Sequence, residues 1–127
     1  MSRTLNLGGT AVFGFAENVG GFVVAMTGAF NGGAFAKVVG EPRRDGNKTH
    51  AELTHVFTRD DGAMIFTTDT AEWVHNDADP RVLARTTYTV TRTTGALAGL
   101  KGSFQSWGTI NPETGEGVLR FSGLLTD

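Results

Sequence analysis

Apolar and polar residues alternate along most of this chain with a period of two, the mark of half-buried β-strands, and no stretch repeats apolar side chains at helical spacing. From Thr10 to Glu17 the alternation puts Ala11, Phe13, Phe15 and Glu17 on one face and Thr10, Val12, Gly14 and Ala16 on the other. The phenylalanine face is the expected inner one, with Glu17 at its end, where Asn18-Val19-Gly20-Gly21 turns the chain. Phe22 to Phe30 is the next strand and Asn31-Gly32-Gly33 a hairpin turn. Its register is ambiguous by one residue, so the faces of Ala34 to Glu41 stay open. Pro42 to Lys48, rich in charge and carrying Asp45-Gly46-Asn47, reads as an exposed loop.

The strongest hairpin runs from Thr49 to Trp73 around Asp60-Asp61-Gly62. With Asp61 and Gly62 as a two-residue loop, Phe57 opposes Phe66, His55 Thr68, Leu53 Thr70, Ala51 Glu72 and Arg59 Met64. This face carries the larger apolar side chains and is expected to be buried, with His55 and Glu72 inside and Ile65, Asp69 and Trp73 outside. Arg81 to Arg92 is a further strand, with Val82, Ala84, Thr86, Tyr88 and Val90 inward, Tyr88 beside Phe66 and Thr86 beside Thr68. A last hairpin centred on Thr114-Gly115 pairs Ile110 with Leu119, Gly108 with Phe121, Ser106 with Gly123 and Phe104 with Leu125, leaving Trp107 outside. Antiparallel strands with one apolar face each and no helix to cover it must bury that face on another sheet or on themselves. Closure also removes exposed edges. The expected fold is all-β: one closed antiparallel β-barrel of about eight short strands, its interior either filled or holding one small ligand, and ranked above a sandwich.

Composition agrees with this reading. The 127 residues fit one domain, 1–127, and include 18 glycines and nine phenylalanines. With no cysteine, disulfides, zinc–cysteine sites and thiol nucleophiles are excluded. A net charge of −2, with both signs scattered, makes no case for nucleic acid or an anionic membrane. The stretch Met1 to Gly9 breaks at glycines before any signal-like apolar run, and no segment has the length and apolarity of a spanning helix. A cytoplasmic protein without a membrane partner is the expectation.

Thr94-Gly95-Ala96-Leu97-Ala98-Gly99-Leu100-Lys101-Gly102-Ser103-Phe104 resembles the glycine-punctuated penultimate hairpin of the allene oxide cyclase and dirigent barrels. Thr58-Arg59-Asp60-Asp61-Gly62-Ala63-Met64-Ile65, preceded by Gly28-Ala29-Phe30-Asn31-Gly32, is similar to small bacterial barrels of the same general type. The shared features are turns and packing, and no catalytic motif of the plant cyclases is matched. The resemblance implies a dimeric or trimeric barrel that holds a hydrophobic small molecule during isomerisation, cyclisation or coupling without a cofactor.

Among the candidate catalytic residues, His55 titrates near neutrality and shares a face with phenylalanines, so it is the expected proton carrier; the alternative is a structural histidine bonded to a threonine. Tyr88 would donate to a carbonyl or enolate oxygen, or be a core aromatic with its hydroxyl satisfied. Glu72 and Glu17 would be bases at the rim, or solvated charges. Phe13, Phe15, Leu53, Phe57, Met64, Phe66, Thr68, Thr86, Phe104 and Phe121 are the expected ligand-lining residues. His50, His55 and His75 fall on an outer face, an inner face and a loop, so neither a metal site nor a cofactor is expected. An isomerase, cyclase or lyase is the leading expectation. A noncatalytic carrier of a hydrophobic metabolite and an oligomeric structural barrel are its rivals.

Overall fold

The computed structural model describes residues 3–16 and 21–127. Nine strands follow one another in the chain: β1 (Thr4–Asn6), β2 (Gly9–Ala16), β3 (Gly21–Gly28), β4 (Gly32–Asp45), β5 (Lys48–Arg59), β6 (Met64–Asn76), β7 (Asp79–Thr93), β8 (Ser103–Asn111) and β9 (Glu116–Thr126). Each strand from β2 to β9 pairs antiparallel with the next, and β9 pairs back on β2, closing an eight-strand up-and-down barrel. The short β1 lies outside that count and continues the line of β2 along the same edge of β9, with Leu7 N–H donating to the Gly123 carbonyl at 2.9 Å between them. Four strands are longer than expected: β4 to β7 run 14, 12, 13 and 15 residues.

Inward positions follow the alternation on most strands. Ala11 and Phe13 of β2, Leu53, His55 and Phe57 of β5, Val82, Ala84, Thr86 and Tyr88 of β7, and Phe104 and Phe121 of β8 and β9 are all buried. The open register of β4 resolves with Ala34 and Ala36 inward, facing Val24 and Phe22 of β3. Pro42 to Lys48 is exposed, but it forms a hairpin arm rather than a loop. Asp45 pairs with Lys48 around a tight Gly46-Asn47 turn, beyond an irregularity between Val39 and Arg43.

The register of β6 corrects the sequence reading. Gly62 N–H donates to the Arg59 carbonyl and Arg59 N–H to the Ala63 carbonyl, each at 2.8 Å, so the loop has three residues, Asp60 to Gly62, with Gly62 at φ +90°. One extra loop residue slips the pairing by one, and a one-residue slip exchanges the two faces of a strand. His55 therefore opposes Thr67, Leu53 opposes Asp69 and Phe57 opposes Ile65. Ile65, Thr67, Asp69 and Ala71 are buried, whereas Met64, Phe66, Thr68 and Glu72 belong to the outer face.

In the last hairpin Asn111 pairs with Glu116 around a four-residue turn, which places Phe104 opposite Gly123 and Ser106 opposite Phe121. This differs from the expected pairing by two positions and so leaves both faces as read. Trp107 is outside and 45% exposed.

Candidate functional site

Two layers of different character divide the interior. Towards the end closed by the Gly95–Leu97 3-10 turn, the barrel is plugged with rings. Tyr88 stacks on Phe104 with centroids 4.7 Å apart, Phe57 meets Phe104 edge-on at 5.3 Å, and Phe121 lies 5.4 Å from Tyr88. Leu7, Phe30, Ile65, Leu97 and Leu125 complete an apolar plug. The Tyr88 hydroxyl shares a 2.7 Å hydrogen bond with Ser106 Oγ, and its burial, reinforced by the Asp69 charge, holds the phenol well above its ordinary pKa against the opposing bonds from Ser106 and Thr86.

Above the plug sits a polar layer. His55 Nδ1 lies 2.5 Å from Asp69 Oδ2, and Asp69 Oδ1 accepts from Thr67 Oγ1 at 2.6 Å. The imidazole is stacked on Phe57 at 5.2 Å and meets Tyr88 edge-on at 4.9 Å, and the pair is almost sealed, with side-chain exposures of 6% and 0%. A neutral imidazole donating from Nδ1 to an ionised Asp69 would have Nε2 as its acceptor. Among the described residues no sealed side-chain N or O lacks a hydrogen-bond partner.

Towards the opposite end the inward positions become small: Ala36, Ala51, Ala71 and Ala84. Leu53 and Val38 pack among them, and aromatic side chains gather at the mouth. There Phe13, Phe15, Phe22, Trp73, Val82 and Ile110, with the turn from Pro112 to Gly115, line an open recess of about 530 Å³. Phe13 and Phe22 stack at 4.7 Å to form one wall. Beside the recess, Thr49 Oγ1 and His75 Nε2 share a 2.7 Å hydrogen bond; His75 belongs to β6 rather than to a loop.

The expected site residues separate accordingly. Phe13 and Phe15 reach the recess, Phe15 at its rim with half its surface exposed. Phe57, Phe104 and Phe121 build the plug, and Leu53 and Thr86 are buried beside the polar layer. Met64, Phe66, Thr68 and Glu72 do not enter the interior: Phe66 is covered by the Arg92 guanidinium at 4.5 Å, Thr68 is exposed, and Glu72 lies 3.8 Å from Lys48 Nζ. Glu17 lies outside the described residues. Sequence reasoning missed Asp69 and Trp73, both assigned to the outer face by the two-residue loop. The available signal was Ala71 and Trp73 set against Thr70 and Glu72 further along β6, where the true inner face is the less polar one.

Among the described residues no three His, Asp or Glu side chains are grouped to hold a metal ion, and no helix is long and apolar enough to cross a membrane. No protein-family model, curated protein or solved structure matches the chain.

Proposed function

We propose that this barrel is a carrier that takes up a hydrophobic small molecule through its mouth and holds it against Phe13, Phe22, Trp73, Val82 and Ile110. The observation that carries this reading is the apolar recess of about 530 Å³, within the usual range for small-ligand sites, set against a plug of rings in which Tyr88 is buried. A ligand seated there gains from burying apolar area on aromatic walls, at roughly 25 cal/mol per Å² before the cost of ordering it. The resemblance to allene oxide cyclase and dirigent barrels points to the same ligand class.

The test uses contact quenching by bromodecanol. Trp73 lines the recess and Trp107 stands on the outer wall, so each single-tryptophan variant reports one place. In Trp107→Phe the remaining Trp73 emission is quenched saturably; in Trp73→Phe the Trp107 emission is not. Equal quenching of both, or of neither, overturns the carrier reading.

One observation favours a second reading, acid–base catalysis on the bound molecule. The Asp69 carboxylate orients the imidazole through Nδ1 and leaves Nε2 outside that bond, the arrangement a proton carrier needs. Deuterium uptake from heavy water into an enolisable ketone such as cyclohexanone, lost in His55→Gln, would move the assignment from carrier to isomerase. No uptake leaves His55 a structural group.

A further inference from the structure

The outer wall of the barrel is uneven. On β4 to β6 its exposed positions include Lys37, Glu52, Thr54, Thr68 and Thr70, with Val39 the single large apolar side chain exposed there among the described residues. On the other side a cross-strand row passes through Leu83, Thr109, Val118, Val12 and Ala25 of β7, β8, β9, β2 and β3. Leu83, Val118 and Val12 are 62%, 53% and 61% exposed. Val23, paired with Gly14 in the next row, extends the patch, and a Cβ built on Gly14 would meet nothing within 4 Å. Aliphatic surface of this kind on the outside of a barrel marks an interaction site.

Charge placement selects the occupant. Glu116 and Arg120 are the outward neighbours of Val118 on β9, one on each side, and among the described residues neither forms an ion pair. Consider a two-fold axis lying across the strands at Val118. It sets Val118 on Val118 and Val12 on Val12, and brings Glu116 of each copy over Arg120 of the other. Thr10, level with Arg120, then faces the open space over Gly14. Arg85 meets Arg81, whose charge is already held by Asp79 at 2.6 Å. Opposite charges placed symmetrically about an apolar centre fit a second copy of the same surface, because an isologous contact pairs each residue with its counterpart across the axis. A nucleic acid or anionic membrane would call for cations alone.

We propose that the outer face of β9 and β2 is the interface of a homodimer, two barrel walls packed face to face about Val118. This stands independently of the ligand recess, which opens at the barrel mouth. The test is the solution mass of the full chain by light scattering and sedimentation across the micromolar range. The wild type is a dimer. Glu116→Arg sets Arg against Arg120 and weakens association about tenfold or more, and the double variant Glu116→Arg/Arg120→Glu restores it. Circular dichroism melting confirms that each variant is folded; both positions are exposed and tolerate exchange. A monomeric wild type, a dimer indifferent to Glu116→Arg, or a double variant no better than the single one would overturn the interface.

Discussion

Asp69 illustrates how much a single buried carboxylate can organise. Both its oxygens are engaged, one by His55 and one by Thr67, so its removal leaves two buried donors unpartnered. Asp69→Ala is therefore expected to cost about 2–4 kcal/mol in urea unfolding, and Thr67→Val, which removes one bond and leaves the His55 contact, about 1 kcal/mol. Tyr88 makes a pH prediction with a definite sign. Its folded pKa is raised, chiefly by burial, so the folded state keeps the proton where the unfolded chain gives it up. The stability from a neutral phenol is complete below about pH 10 and falls as pH rises beyond it, since the unfolded state then binds fewer protons. Tyr88 is the chain's one tyrosine, so tyrosinate absorbance reports this group alone and should appear only together with unfolding. Alternation was enough to place His55 and Tyr88 inside. It could not reveal their partner, because Asp69 lies on a strand whose two faces both begin with large apolar residues.

At the scale of the element, turn length proved harder to read than strand position. Asp60-Asp61-Gly62 announces a hairpin under either a two- or a three-residue loop, and only the bonds between Arg59, Gly62 and Ala63 decide. The Asp61 carboxylate stiffens this loop by accepting from the Arg59 guanidinium and from Ala63 N–H, and those bonds, the Arg59 one first, hold its pKa at about 2. Gly62→Ala should cost about 1 kcal/mol, measured by thermal melting, because an L-residue is strained at φ +90°. Deleting Asp60 should be far worse, with loss of cooperative unfolding: a two-residue loop would drive Ile65, Asp69 and Trp73 outward. The last hairpin shows the converse. Its pairing differs from the expected one by two positions, an even number, so the prediction that Phe104 and Phe121 share the interior survived an imperfect register.

For the whole molecule, closure was legible because so many half-apolar strands leave no economical way to cover themselves. The division of the interior into plug and recess was not. It depends on which small residue stands level with which large one across neighbouring strands, and that requires every register at once: Ala71 opposite Ala51, and Trp73 opposite Thr49 and Ala84. The recess makes its own prediction. Ile110→Trp should fill it and abolish binding of bromodecanol by calorimetry while moving the melting temperature little, since Ile110 is only partly buried.

The pairing of β2 with β9, which sets Gly9 against Phe121 and Val12 against Val118, has a consequence for how the molecule comes into being. Every other seam of the barrel joins neighbours along the chain and can zip as soon as its hairpin exists. This one must wait for the last strand to leave the ribosome, with the β2 edge bare in the meantime. Such non-local pairing slows the final step of folding. A nascent chain halted before Glu116 should thus remain an open, protease-sensitive sheet, and release of the remaining strand should snap it shut.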